Sequence, residues 1–166
     1  MAFRYEVGDL IQAAKDGYLD VVGHGCNCMC TMKSGIAPLM AAAFPAAHDA
    51  DQATQKGDVS KLGTFSSAKV DDLLVVNLYT QYTFTGRREG KMDLSYDALK
   101  ESLDNLADFL LEDPLNAPWD IRIGLPKIGA GLAGGDWGKI AKIIRESLAD
   151  FDVTIYVLKE KNIGGE

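Results

Sequence analysis

The sequence predicts an α/β fold: a three-layer α/β/α sandwich whose central sheet is mixed but mostly parallel. Short apolar segments of strand length alternate with segments in which leucine and isoleucine recur at helical spacing, and this alternation is typical of βαβ units. The two most glycine-rich segments each follow a predicted strand, which places both at the ligand-binding edge of such a sheet. The 166 residues suit one domain, which we expect to span residues 1–166.

The predicted elements follow one another along the whole chain. The strands are Phe3–Val7, Tyr18–Gly23, Leu73–Tyr79, Ile121–Leu125 and Val153–Leu158. The helices are Leu10–Lys15, Ile36–Phe44, Tyr96–Leu111 and Trp137–Leu148. Leu73–Tyr79 is continuously apolar, as in a parallel strand covered on both faces, whereas Tyr96–Leu111 is amphipathic and predicts a surface helix. Ile36–Phe44 is apolar nearly all round and predicts a buried helix that ends before Pro45.

Charge and composition exclude several classes of function. The formal net charge is −7, and the sequence lacks the basic stripe that is typical of proteins that bind nucleic-acid polymers. No segment approaches the ~18 apolar residues of a transmembrane helix, and the first residues hold no apolar run long enough for a signal peptide. We therefore expect a cytoplasmic monomer without a membrane partner. Cys26, Cys28 and Cys30 are too close together for an ordinary disulfide and lack zinc-site spacing, so we expect free thiols, no metal and no cofactor.

The first glycine-rich segment runs from Gly23 to Ala37 and joins a strand to an apolar helix. Gly35, where that helix begins, lets a backbone amide approach a phosphate without a Cβ in the way. The same residues also suit a tight turn whose polar side chains satisfy local backbone groups. This segment alone leaves both interpretations open.

The second segment has four glycines within residues 129–135, between a strand and a helix. A turn needs one or two glycines, so four indicate that a ligand approaches the backbone closely. Gly129, Gly131 and Gly134 fit the pattern G-x-G-x-x-G, but no acidic residue ends the following strand, which disfavours a Rossmann dinucleotide site. A small anionic ligand held by backbone amides suits both segments.

Taken together, the two segments resemble those of the macro domain family. The matching order is a strand followed by His24-Gly25-Cys26-Asn27, then Ser34–Ala37 before a helix, then residues 125–137. The resemblance extends to Gly8-Asp9 and to Asn77–Gln81, and so covers nearly the whole chain. Its pattern is most similar to the small macro domains that act on ADP-ribose 1″-phosphate. The resemblance therefore implies ADP-ribose, or its 1″-phosphate, as the ligand.

The resemblance also implies a role for each matching residue. Asp9 would accept a hydrogen bond from the adenine amino group, with Leu10 and Leu158 as apolar contacts of the base. Asn27 would hold hydroxyls of the distal ribose. The phosphate loops would be Ser34, Gly35, Ile36 and Ala37, and then Gly129, Ala130, Gly131, Leu132, Ala133 and Gly134. Two alternatives stay open: Asp9 could cap the helix that follows it, and Asn27 could satisfy loop backbone groups.

The residues available for catalysis differ from those of similar ADP-ribosyl hydrolases. Those enzymes have a lysine after the mid-chain strand and an aspartate in the second loop, where this sequence has Gln81 and Ala133. The predicted catalytic residues are therefore His24, Asn27 and Asp136, with the imidazole as general acid or base. As alternatives, His24 could be a satisfied loop histidine and Asp136 a helix cap.

The function favoured by these residues is a phosphatase that converts ADP-ribose 1″-phosphate to ADP-ribose and phosphate without a required metal. One alternative is a module that binds ADP-ribose and catalyses nothing. Another is a hydrolase or deacylase of other ADP-ribose esters, which Gln81 and Ala133 disfavour.

Overall fold

The structure is a computed structural model that describes residues 2–163, except for the side chain of Arg87. The strands are β1 (Phe3–Val7), β2 (Val21–Cys26), β3 (Phe65–Val70), β4 (Leu73–Tyr79), β5 (Arg122–Leu125) and β6 (Asp152–Val157). The helices are α1 (Leu10–Lys15), α2 (Ala37–Ala43), α3 (Pro45–Gln52), α4 (Tyr96–Leu111) and α5 (Trp137–Ser147). Short 3₁₀ segments lie at Val59–Lys61, Gly86–Glu89, Pro118–Asp120 and Glu160–Asn162.

The strands form one six-stranded sheet in the order β1-β6-β5-β2-β4-β3. All neighbouring pairs are parallel except β3, which lies antiparallel to β4 at one edge. Helices cover both faces of this sheet. On one face Leu103 of α4 and Ile140 of α5 share a core with Val76; on the other, Leu10 of α1 and Met40 of α2 share a second core that includes β2 and β4 residues. The predicted fold class is confirmed.

β2 begins and ends later than the predicted strand Tyr18–Gly23. Tyr18 is 65% exposed and precedes the sheet, while pairing with β4 continues as far as Cys26 opposite Tyr79. The strand therefore contains His24 instead of ending before it. The glycines around His24 suggest a loop locally, but the seven buried residues of β4 provide a partner along the full length of β2.

Three further differences concern short elements. The sequence pattern does not predict β3, whose polar residues leave it only partly buried at the sheet edge. Nor does it predict α3. This helix can begin at Pro45 because proline is well accepted in the first turn of a helix. The helix predicted over Ile36–Phe44 is present as Ala37–Ala43 and ends before Pro45, but the prediction that it is buried is wrong. Met40 is the one buried residue within α2, and Leu39 is 62% exposed because α2 lies at the rim of a cavity.

Within residues 2–163, no helix is long and apolar enough to cross a membrane. The same part of the chain shows no group of three or more histidine, cysteine, aspartate or glutamate side chains placed to hold a metal ion. Its cysteines are unbridged, with Cys26 and Cys28 buried and Cys30 half-buried.

Candidate functional site

A cleft crosses the edge of the sheet where β2, β5 and β6 end. It consists of two cavities, of about 400 Å³ and about 270 Å³. We call the larger the apolar cavity and the smaller the glycine-loop cavity. Both are lined by Gly35, Ile36, Pro126 and Lys127, so the two cavities form one continuous elongated cleft.

The apolar cavity combines apolar walls with one carboxylate. Leu10 is buried at its base, while Leu39 and Leu158 are 62% and 75% exposed along it. Asp9 also lines this cavity, and its Oδ1 accepts a hydrogen bond from the Gln12 amide at 3.0 Å. Asp9 therefore caps α1, as the alternative interpretation holds, and its carboxylate still borders the cavity. The arrangement suits a flat apolar group that carries a hydrogen-bond donor.

Two backbone loops border the glycine-loop cavity. One contributes Ser34, Gly35, Ile36 and Ala37, and the other contributes Gly129, Gly131, Leu132 and Ala133. Gly35 and Gly129 have φ angles of 64° and 72°, a region that favours glycine. A Cβ built on Gly35 or Gly131 would meet no atom within 4 Å. Both glycines therefore face open space, and a ligand can approach their backbone.

Hydrogen bonding within the second loop divides its amides into two sets. Ala130 donates to the Lys127 carbonyl at 3.3 Å, and Gly134 donates to the Gly131 carbonyl at 3.1 Å. Neither residue is among those that line the cavity, and consecutive turns of the loop use their amides. Their contact with the ligand stays a prediction. By contrast, the amides of Gly131, Leu132 and Ala133 donate to no acceptor within residues 2–163. Unpaired amides at a concave surface can bind an anion.

His24 lies away from this cleft. Its side chain is fully buried beneath α3, where Nε2 lies 2.8 Å from Oδ1 of Asn77. Asn77 in turn donates to the carbonyl of Ala47 at 2.9 Å. Burial lowers the pKa of His24, although the Asn77 hydrogen bond opposes this effect. The prediction that His24 faces the ligand as a catalytic acid or base is therefore wrong, because the extension of β2 turns this side chain into the protein.

Asn27 and Asp136 have different positions. Asn27 lines the glycine-loop cavity, but its Oδ1 accepts from the Met29 amide at 2.8 Å and its Nδ2 donates to the Thr31 carbonyl at 2.9 Å. It thus satisfies loop backbone groups. Asp136 is exposed and accepts from the Gly138 amide at 3.1 Å as the N-cap of α5. It lines neither cavity, so the structure favours the alternative of a helix cap, and its catalytic role stays a prediction.

Three residues that the sequence pattern does not single out complete the glycine-loop cavity: Phe84, Arg88 and Asp93. They come from the segment between β4 and α4, which returns to the sheet edge through a bridge between Gln81 and Leu94. Asp93 is the one carboxylate among the described lining residues of this cavity. This segment has no periodicity, and the only signal in the sequence was an acidic residue shortly before α4.

Several contacts hold Asp93 in place. Its Oδ1 accepts a hydrogen bond from the Gly86 amide at 2.9 Å. Its own amide donates to the carbonyl of Ala133 at 3.0 Å, which ties it to the second glycine loop. Arg88, on the same segment, is exposed and lines the same cavity. Asp93 and Arg88 therefore line the same cavity as the unpaired amides of the loop.

Known proteins resemble this chain over most of its length. No model of a protein family matches the sequence. It is 32% identical to an uncharacterized 17.5 kDa protein of Enterobacteria phage T4, over 93% of this chain and 96% of the phage protein. It is 27% identical to the ADP-ribose 1″-phosphate phosphatase of Saccharomyces cerevisiae, over 85% of this chain and 91% of the yeast protein.

Solved structures share the fold at lower identity. The macrodomain of Mycobacterium tuberculosis DarG superposes with a TM-score of 0.74 at 21% identity, covering 93% of this chain and 97% of that one. Thermosipho africanus DarTG, solved in complex with ADP-ribose, superposes with a TM-score of 0.73 at 16% identity. In that case 99% of this chain matches 43% of the other.

Proposed function

This chain belongs to the macro domain family, and we propose that it is a phosphatase that converts ADP-ribose 1″-phosphate to ADP-ribose and phosphate. Two similar proteins support the ligand: the yeast relative is named for this activity, and the Thermosipho structure contains ADP-ribose. The observation that carries the finer proposal is that Asp93 and Arg88 line the same cavity as the unpaired amides of the second glycine loop.

The cleft suits the parts of ADP-ribose in order. The adenine would lie in the apolar cavity against Leu10 and Leu158, with its amino group donating to Asp9. The pyrophosphate would lie at the junction of the two cavities, where amides of Gly35 and Gly131 can donate to its oxygens. The distal ribose and its 1″-phosphate would then occupy the glycine-loop cavity.

Arg88 provides the argument for a terminal phosphate. Backbone amides can hold the pyrophosphate, so a guanidinium in the glycine-loop cavity is available for a second anion. The guanidinium is planar and can bind a phosphate through two parallel hydrogen bonds. ADP-ribose has no charge beyond its pyrophosphate, whereas the 1″-phosphate does. Arg88 therefore favours the phosphorylated ligand.

Asp93 provides the argument for hydrolysis. Its hydrogen bond from Gly86 fixes the carboxylate, which can orient a water molecule and accept its proton. The water oxygen would attack phosphorus, the bond between phosphorus and the ribose oxygen would break, and that oxygen would take a proton from solvent. Arg88 and the loop amides would stabilise the charge that develops on the phosphoryl oxygens.

The test is phosphate release from ADP-ribose 1″-phosphate by the wild type and by Asp93→Asn. The amide retains the shape and the hydrogen bond to Gly86 but cannot take a proton, so we expect turnover to fall by ~10²–10⁴-fold. Asp136→Asn is the matched control, because it lies outside the cleft and asparagine also caps helices. Its turnover should equal that of the wild type.

Two results would overturn the proposal. Equal turnover by Asp93→Asn and wild type would remove Asp93 from the mechanism. Wild-type protein that binds ADP-ribose but releases no phosphate would be a binding module. The burial of His24 and the absence of a lysine at Gln81 favour that second candidate.

A further inference from the structure

Three cysteines, at the end of β2 and in the loop that follows it, differ in their exposure. Cys26 and Cys28 are buried, at 7% and 0% exposed. Burial raises the pKa of both thiols and so keeps them protonated. Cys30 is half-buried. Reactive cysteines are typically partly exposed and close to a cationic group, so Cys30 is the one to consider.

The cationic group next to Cys30 is Lys61. Its Nζ lies 3.5 Å from Sγ of Cys30. The lysine is buried at 7% exposure, and its Nζ also donates to the Cys28 carbonyl at 3.1 Å and lies 4.8 Å from the ring centre of Tyr79. Within the described part of the chain, no carboxylate oxygen lies within 4.0 Å of this nitrogen. These contacts hold the amine against the sulfur.

The other partners of the Cys30 sulfur are oxygens. They are the carbonyls of Asp51 and Thr54 and the hydroxyl of Thr54, at 3.4–3.6 Å. None of these described hydrogen-bond partners is a thiol. Among them the amine of Lys61 is the strongest nucleophile, and it is already at contact distance.

We propose that Cys30 and Lys61 form an oxidative cross-link in the presence of a peroxide. The thiol sulfur attacks one peroxide oxygen, the O–O bond breaks, and the products are a sulfenic acid and water. Sulfur is oxidised by two electrons and the peroxide is reduced by two. Nζ, after it gives its proton to solvent, then attacks sulfur; the S–O bond breaks and hydroxide leaves as water with the second amine proton. The result is an S–N bond, and the two side chains together lose two hydrogens.

The cross-link would act on a wall of the cleft. Cys30 belongs to the same loop as Asn27 and Thr31, both of which line the glycine-loop cavity. A covalent bond to Lys61 would fasten this loop to the 3₁₀ segment Val59–Lys61. The proposal does not depend on the reaction that the cleft catalyses.

Peptide mapping of the whole protein tests the cross-link. Wild-type protein is treated with hydrogen peroxide, unfolded with its remaining thiols blocked, and digested with trypsin. Because trypsin does not cut after a modified lysine, the link would join peptide 16–33 to peptide 57–69, with a loss of about 2 Da from their summed mass. Dithiothreitol should release the two peptides.

Two variants and one control make the result specific. Cys30→Ser and Lys61→Arg should abolish the joined peptide, and Lys61→Arg keeps a cation at that position. Lys56→Arg, a change five residues earlier, should leave it intact. The proposal is overturned if peptide 16–33 alone loses about 2 Da, which would be a disulfide among the cysteines. It is equally overturned if Cys30 stays reduced, or becomes a sulfinic acid while trypsin still cuts after Lys61.

Discussion

The buried polar cluster beneath α3 and the cleft at the sheet edge contain similar kinds of group, but they differ in how those groups are paired. In the buried cluster His24 contacts Asn77 at 2.8 Å, and the Tyr79 hydroxyl donates to Asp51 at 2.8 Å. Ser66 joins the two pairs, at 3.0 Å from Asn77 and 2.8 Å from Tyr79. Each of these side chains has a protein partner.

The cleft has the opposite character. Within residues 2–163 the amides of Gly131 to Ala133 donate to no acceptor, and Asp93 and Arg88 border open space. A satisfied buried network stabilises one arrangement of the fold, whereas unpaired donors at a concave surface are available to a ligand. The difference indicates that a titratable side chain predicts function here only where its partners are incomplete.

The largest expected effect is on binding. A glutamate at Gly131 would enter open space in the cleft, since no atom lies within 4 Å of a Cβ there. Its carboxylate would face the pyrophosphate, and like charges ~4 Å apart near a protein surface repel by ~4 kcal/mol, or about 10³-fold in affinity. Calorimetry with ADP-ribose measures this for Gly131→Glu. Gly131→Ala is the control and should bind nearly as well as the wild type. Circular dichroism should first show that Gly131→Glu is folded. Wild-type affinity in the glutamate variant would mean that the ligand lies elsewhere.

The next effect is on stability. His24→Ala leaves a cavity and an unsatisfied Asn77 oxygen, so we expect the free energy of unfolding to fall by ~2–4 kcal/mol. Turnover per folded molecule should stay at the wild-type value, because the imidazole does not reach the cleft. Denaturant unfolding and initial rates of phosphate release measure the two quantities. Asp93→Asn should show the reverse, with turnover lost and stability kept. A rate defect in folded His24→Ala would return this residue to the mechanism.

The parts of the fold that the sequence predicts well are those with a strong local pattern. The bounds of Leu73–Tyr79 and Tyr96–Leu111 agree with the structure, because a continuous apolar run and a regular leucine spacing each depend on few distant contacts. The two glycine loops could be placed together because both follow parallel strands of one sheet. These features needed no knowledge of the tertiary structure.

The features that the sequence pattern predicts wrongly, or does not predict at all, depend on contacts between residues far apart in the sequence. His24 lies in a strand because β4 pairs with it across 53 residues of sequence. Asp93 reaches the cleft because the bridge between Gln81 and Leu94 closes the segment that carries it. Neither contact leaves a periodic signal nearby, so the sequence pattern predicts neither the burial of His24 nor the position of Asp93 in the cleft.

A smaller effect separates the two roles of Asp9. Asp9→Ala should weaken ADP-ribose binding by ~1–3 kcal/mol through the lost hydrogen bond to a charged group, and should also cost ~1 kcal/mol of stability as a lost helix cap. Asp136→Ala is the matched variant, since it removes an equivalent cap outside the cleft. It should lose the same stability and none of the affinity. Equal affinities for both variants would reduce Asp9 to a cap alone.

The smallest effect concerns pH and tests whether the buried cluster keeps its histidine neutral. Burial lowers the pKa of His24 below its ordinary value of 6.5, so the unfolded chain takes up a proton before the folded protein does. The free energy of unfolding should therefore be unaffected by this residue above pH ~6.5 and decrease below it, by at most ~1.4 kcal/mol per pH unit. In His24→Gln the side chain can still donate to Asn77 but does not titrate. Denaturant unfolding between pH 7 and 5, roughly the range in which histidine titrates, compares the two proteins. All other titrating groups are common to both. We expect the wild type to lose more stability than His24→Gln across this range. Parallel curves would mean that His24 takes up its proton in the folded protein as readily as in the unfolded one, and the contrast between a closed buried cluster and an open cleft would then fail at its central residue.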